Sequence, residues 1–372
     1  MKSRISIVRC SDYEPALVYE RVKHAIGLLG GITAFVKPGS KVLIKPNLLM
    51  ARGPEFAICT HPEIVRAVIK ILKEINCRII VGDGPSVWGK YVENVEEVYE
   101  KSGIKAVAAQ EAVELIKFEN RQWHGQFPLA RAAFECDHVI NLPKFKTHEL
   151  TLLTGAVKNL FGLVWGTYKT ELHKKYFDIE EFAKILIDIY QQIKPSLTIV
   201  DGILAMEGDG PASSGLPKKC GLVLAGSDCV AIDSVLAVII GVDPLDVFTI
   251  REAAKRGDVG TDLKNIDILG EKLEDAKGAP FILPSASMVR KVPPAIANLA
   301  RKLIKYYPCV ERDNCIKCAA CIDSCPKKVI KMTPKGITFN YSGCIACFCC
   351  QEACPASAIK VKKSFLAKLI GL

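Results

Sequence analysis

Lys41-Val-Leu-Ile-Lys-Pro-Asn47 and, further along, THPEIVRAVIKILKEINCRIIVGDGP (residues 60–85) decide how this chain is read. Each segment holds a short β-rich apolar run, 41–45 and 78–82, closed by strand-ending residues, Pro46-Asn47 and Asp83-Gly84-Pro85. Between the runs, Thr60-His61-Pro62-Glu63 has capping-box spacing with proline in the first turn. Ile64, Val65, Val68, Ile71, Leu72 and Ile75 then fall on one face, which predicts a helix over 61–75. A strand, a helix and a strand in that order are the unit of an α/β sheet.

The same alternation recurs to about residue 270. Strands are predicted at 137–141, 196–200, 220–225 and 265–269. A helix begins at Asp178–Glu181, buries Phe182, Ile185, Leu186, Ile189 and Ile193, and ends before Pro195. The expected fold class is α/β, a mostly parallel sheet with helices on both faces, followed by a small C-terminal α+β domain. A chain of 372 residues exceeds one ordinary core. We divide it into an α/β ligand- or substrate-binding domain (1–270), a proline-rich linker (271–308) with an amphipathic basic docking helix at Ala295–Tyr307, and a cysteine-rich domain (309–372).

Polar residues gather where the predicted strands end. Lys45 and Asn47, Asp83, Asn141 with Lys144, Lys146 and His148, Asp201, and Ser227-Asp228 all sit at or just past a carboxyl end, the edge at which open α/β sheets bind ligands. Each also has a structural explanation: proline ends strands, Asp and Gly make turns, and Asp228 suits a helix cap. Gly82-Asp-Gly-Pro85 and Gly208-Asp-Gly-Pro211 open two matching G-D-G-P-x-x-x-G strings, read either as anion-cradling turns, with Asp83 and Asp209 as acceptors, or as similar surface loops. Gly155-Ala-Val-Lys-Asn-Leu-Phe-Gly162 predicts a short helix that brings Lys158 and Asn159 to the same edge, where a buried Lys158 needs a partner. Phosphate-loop, complete dinucleotide, zinc-protease and serine-hydrolase signatures are missing.

Cys315, Cys318, Cys321 and Cys325-Pro326 form C-x2-C-x2-C-x3-C-P, and Cys344, Cys347, Cys350 and Cys354-Pro355 repeat it. Zinc is the competing reading, but its sites favour two separated C-x2-C pairs. The segment resembles bacterial two-cluster ferredoxins. That resemblance implies two [4Fe-4S] clusters, one held by Cys315, Cys318, Cys321 and Cys354 and the other by Cys344, Cys347, Cys350 and Cys325. With all eight ligand positions filled, electron relay is expected there rather than chemistry at iron. Cys309 and Cys349 are left as structural thiols.

Sixteen cysteines fit a reducing compartment, and the opening residues lack an apolar signal core, so a cytoplasmic protein is expected. The longest apolar stretch, Val230–Val242, is broken by Asp233 and Ser234 and is too short to cross a bilayer. A formal charge of +10 favours anionic ligands or acidic partners; scattered basic residues and 7% aromatics argue against nucleic acid. The C-terminal segment from Lys360 mixes lysines with Phe365, Leu366, Leu369 and Ile370. It is expected to pack on the cysteine-rich domain, with a weak membrane-surface or partner contact as the alternative.

Val42-Leu-Ile-Lys-Pro-Asn47, Asn141-Leu-Pro-Lys-Phe-Lys-Thr-His148, Gly155–Gly162 and Asp201–Pro211 together resemble the domain-of-unknown-function family 362, over most of residues 5–270. The resemblance implies this architecture and these site candidates but no settled reaction. Two functions follow. In one, an oxidoreductase passes low-potential electrons to a small anionic substrate or second cofactor at the strand-end edge. Lys45, Lys144, Lys146 and Lys158 hold the anion, Asn47 and Asn141 orient it, Asn159 is a further binding residue, His148 donates a proton, and Asp83, Asp201 and Asp209 bind a cation or hydroxyls. In the other, a non-enzymatic electron-carrier subunit or maturation factor docks a protein partner. Both call for a redox partner protein, and the first leaves room for an additional ligand or metal in the α/β domain.

Overall fold

Apolar side chains alternating along the strands give the sheet two buried faces, and each face has collected its own helices. Ile5, Ile7, Leu43, Val139, Val200, Leu222 and Leu224 face one core, while Val8, Val42, Ile44, Ile140, Ile199, Val223 and Ala225 face the other. The computed structural model describes residues 2–372 except 86, 89, 90, 93, 177, 213, 286–305 and 364–372. Most of the expected docking helix and the C-terminal apolar segment therefore lie outside the described residues. Tyr306 and Tyr307, the end of that expected helix, are strand.

The strands that matter for the site are β1 (Ser3–Arg9), β2 (Lys41–Pro46), β3 (Arg78–Val81), β4 (Glu114–Leu115), β5 (His138–Leu142), β6 (Lys144–His148), β7 (Leu152–Thr154), β8 (Leu197–Gly208), β9 (Gly215–Gly226) and β10 (Ile266–Gly270). They form one ten-stranded sheet in the order β10-β1-β9-β8-β5-β2-β3-β4, with β6 pairing with β8 and β7. Pairing is parallel from β8 through β5, β2 and β3 to β4, between β6 and β8, and between β1 and β10; it is antiparallel for β1 with β9, β8 with β9, and β6 with β7. Helices α1 (Pro15–Gly27) and α2 (Pro62–Glu74) cover the second face. The first is covered by α3 (Ala156–Asn159), α4 (Tyr168–Lys175), α5 (Ile179–Ile193) and α6 (Cys229–Ile239). The fold is thus mixed α/β with a large, mostly parallel sheet.

All six predicted strands are present, and the differences lie at their ends. β8 and β9 run to twelve residues each as a long hairpin. Asp201 is therefore inside a strand, not past its end. Lys144–His148, expected as the tail after β5, is itself a strand: the chain turns at Pro143, whose carbonyl accepts from Asp201 N–H at 2.9 Å, and continues along β8. Thr60 does not cap α2. Its hydroxyl donates to Leu142 O and accepts from Asn47 N–H, tying two strand ends, and His61 Nδ1 accepts from Glu63 N–H in its place. Asp178 and Asp228 cap α5 and α6 as expected.

In the cysteine-rich domain, strand β11 (Tyr306–Val310) pairs antiparallel with β14 (Ile359–Lys363), and β12 (Ile330–Thr333) forms a hairpin with β13 (Gly336–Phe339). Short helices α7 (Ala320–Ser324) and α8 (Cys349–Glu352) follow the two cysteine loops. The duplication seen in the cysteines extends to the backbone. Lys317, Ala319 and Lys328 have positive φ, and so do Ala346, Phe348 and Ser357 at the equivalent places in the second repeat.

Candidate functional site

Five elements converge on an open cavity at the carboxyl ends of β2 and β3. β2 and β3 contribute Asn47 and Asp83, β6 contributes Lys146, α3 contributes Lys158 and Asn159, and α4 contributes Lys169 and His173. Glu352 of α8 closes the remaining side, so the cysteine-rich domain forms part of the wall.

Close backbone approach sets the floor. A Cβ on Gly162 would sit 2.4 Å from Asp83 Oδ1 and 2.6 Å from Lys45 Nζ, so glycine is what lets the turn after α3 press onto this pair. Lys45 and Asp83 form a buried ion pair at 2.7 Å; Asp83 Oδ2 also accepts from Leu48 N–H at 2.7 Å. Lys45 reaches Asn159 Oδ1 at 3.3 Å, and the same oxygen accepts from Asn47 at 2.9 Å. Asn159 in turn donates to Asn141 Oδ1 at 2.8 Å, and Asn141 donates to Ala156 O. Below α3, Asp233 of α6 accepts from Ala156 and Val157 N–H at 2.6 and 3.1 Å, and burial raises its carboxyl to about 7. Asp233, which sequence reasoning treated only as a break in an apolar run, anchors the helix that presents Lys158.

The other lysines divide into two kinds. Lys144 is completely buried and paired with Asp201 at 2.8 Å, with Tyr13 bonded to both. This pair braces β6 against β8 and does not line the cavity. Lys146, Lys158 and Lys169 do line it, and among the described residues none has a carboxylate within ion-pair distance. Lys146 donates to Ile58 O at 2.8 Å, Lys169 to the carbonyls of Gly84 and Pro85, and Lys158 makes no hydrogen bond there. Burial lowers all three amines, Lys146 to about 7 and Lys169 to about 8; for Lys158 the Glu352 carboxylate opposes the shift. His173 stacks on Phe182 at 4.4 Å and is held down to about 3 by burial, so it stays neutral.

His148 lies in the seam between the domains, not in the lysine cavity. Its Nδ1 accepts from Leu150 and Thr151 N–H at 3.0 and 3.3 Å, and its Nε2 faces Glu352 Oε2 at 3.9 Å. Arg52 reinforces the seam by donating to Pro355 O at 2.7 Å. Asp209 accepts from the backbone and hydroxyl of Ser285, which ties the linker to the turn after β8. Lys169, His173 and Glu352 were not foreseen. They arrive from a helix and from the other domain, and no strand-end signal marks them.

The cysteines line two further cavities. One is walled by Cys315, Cys318, Cys321 and, from the second repeat, Cys354; the other by Cys344, Cys347, Cys350 and, from the first, Cys325. Among the described residues no three His, Cys, Asp or Glu side chains converge on a single ion. Four thiols spread around a cavity suit a cluster of several irons better than one zinc. Cys347 and Phe348 line both the second cysteine cavity and the seam, and Pro211 and Glu352 line both the seam and the lysine cavity, so the three spaces adjoin one another across shared walls.

Residues 42–238 match a family described as a domain of unknown function (DUF362), and residues 314–358 match a 4Fe-4S dicluster domain. Thylakoid-associated protein sll1697 of Synechocystis sp. is 33% identical over 264 residues, covering 69% of this chain and 80% of that protein. The lactate racemase apoprotein from Thermoanaerobacterium thermosaccharolyticum aligns with a TM-score of 0.40 at 12% identity, over 65% of this chain and 58% of that one. That likeness is too slight to inform the site. No helix among the described residues is long and apolar enough to cross a membrane.

Proposed function

This chain belongs to the DUF362 family and carries a ferredoxin-type [4Fe-4S] domain, and on that premise we propose that it is an oxidoreductase delivering low-potential electrons to a small anion held in the lysine cavity. The observation that carries the reading is that the second cysteine cavity adjoins the seam, and the seam adjoins three lysines that have no carboxylate partner among the described residues.

Two [4Fe-4S] clusters, ligated as the cavities group the thiols, supply single electrons when bound. The chain's own residues do the rest. Cys318 and Ile316 of the first loop are exposed, with Ile316 66% accessible, and offer the face on which a redox partner protein docks. Lys146, Lys158 and Lys169 bind the anion, and the cost of burying them without partners is recovered when it arrives. Lys146, tuned to about 7, and Lys169, at about 8, are the proton donors best matched to neutral solution. Lys45, Asp83, Asn47 and Asn159 set the floor, Lys144 and Asp201 position Lys146 through β6, and His148 with Glu352 and Arg52 registers the domains. The reading keeps the protein in the reducing cytoplasm, which sixteen unpaired cysteines support. A thylakoid-associated relative adds membrane-surface association as a matter to test.

The test is anaerobic. Cluster-loaded protein, chemically reduced, is mixed with a panel of small organic anions, and oxidation of the iron-sulfur chromophore is followed. An anion that oxidises the wild type, but oxidises Lys146→Met and Lys158→Met at least about tenfold more slowly, supports the reading. If every anion that oxidises the protein does so equally in the variants, the cavity is not the site and the carrier-subunit reading takes over.

A further inference from the structure

The lysine cavity holds more positive charge than its walls return, and we propose that it is built for a dianionic acid group, a phosphate ester or a pair of carboxylates, carried on a mainly apolar body. This deepens the proposed function by fixing the charge of the ligand and the protons that accompany it, and it rests on the cavity being the anion site.

The count uses residues that line the space. Lys146, Lys158 and Lys169 bring three ammonium groups when protonated; Asp83 is neutralised by Lys45 behind it, and His173 is neutral. Among the described residues Glu352 is the remaining carboxylate in the wall, which leaves these residues an excess of two positive charges. A monoanion would leave an ammonium buried without compensation, an arrangement that costs several kcal/mol in a poorly solvated site. Asn47, Asn159 and Thr154 supply neutral polar groups, while Leu48, Leu49 and Phe161 give the rest of the wall an apolar surface.

The charges facing each amine predict a second property. Lys146 faces Lys158 and Lys144 on the repulsive side and Glu352 and the Cys59 thiol on the other; Lys169 faces Asp83 and Lys45; Lys158 faces Glu352 and Cys349. With Lys146 held near 7 and Lys169 near 8, the empty cavity has shed part of its charge in mildly alkaline solution. An arriving dianion favours the protonated amines and raises both values, so binding takes up protons.

Calorimetry on the full-length, cluster-loaded protein tests both properties. Sulfate is the probe because it is doubly charged without titrating; chloride and acetate are the monoanion controls, and buffers of different ionisation enthalpy are used at about pH 8, near the value to which burial lowers Lys169. We expect sulfate to bind at least about tenfold more tightly than either monoanion, with net proton uptake. Lys158→Met should lose about tenfold or more in sulfate affinity with the cluster absorbance unchanged, and Lys169→Gln serves the same purpose should the first variant misfold. Inorganic phosphate against succinate then separates the two sources of a double charge. Equal binding of monoanions and sulfate, or sulfate binding without proton uptake, overturns the dianion assignment while leaving an anion site. Absence of binding by any of these anions, in wild type and variants alike, removes the underlying reading of the cavity as well.

Discussion

Lys146 shows how a single side chain can be read as a functional one. Burial takes its amine to about 7 from an ordinary value of 10.5. Between those values the unfolded chain holds a proton that the folded protein has released, so stability rises with pH across that window, and the full cost of burying the charge is present below it. Lys146→Met should therefore stabilise the ligand-free protein most at or below about pH 7, on the order of 2–4 kcal/mol, with the gain shrinking toward about pH 10. Paired denaturation curves across this range check it; a gain independent of pH would mean the amine is not desolvated. Gly162 tests the floor. Gly162→Ala forces a methyl against Asp83 and Lys45 and should cost about 1–3 kcal/mol in a denaturation midpoint measured under reducing conditions. At this scale the sequence was partly legible. Lys45, Asn47, Asp83 and Asn159 meet because strand ends of a parallel sheet share an edge. Nothing local announced that Lys144 would be consumed by Asp201 while Lys146, two residues on, would be left without a carboxylate.

Elements were easier to read than their ends. The strands at 41–46, 78–81, 138–142 and 266–270 keep close to their expected limits because apolar runs bounded by turn residues mark both ends. Lys144, Lys146 and His148 are expected only at or just past a strand's carboxyl end, yet residues 144–148 form a strand of their own, wholly buried because tertiary partners satisfy its bases. The short helix α3 depends on another element altogether. Removing the Asp233 acceptor should free the amides of Ala156 and Val157 and let α3, with Lys158 and Asn159, shift. Asp233→Ala is expected to cost about 1–3 kcal/mol and to weaken anion binding, while Asp233→Asn keeps one acceptor and recovers part of both. Amide exchange at 156–159 in the three proteins measures it: unaltered protection in the alanine variant would mean α3 stands without its anchor.

At the scale of the whole molecule, the duplicated cysteine motif is plain in the sequence, whereas the docking of its second half on the lysine cavity is not, because Arg52, His148 and Glu352 become neighbours only after both domains have folded. The seam gives a prediction of its own. Arg52→Ala removes the charged donor to Pro355 O and should loosen the docked domain by about 1–3 kcal/mol, seen as faster amide exchange in 347–358 with residues 41–81 unaffected. The most direct test of a cavity adjoining the electron-carrying domain is a redox titration of the anaerobic protein, followed by electron paramagnetic resonance, with and without sulfate. A dianion in that cavity opposes the charge gained on reduction, so the potential of the cluster nearer the seam should fall while that of the farther one moves much less, and Lys158→Met should abolish the difference. Potentials unmoved by sulfate, or moved equally at both clusters and in the variant, would contradict the account.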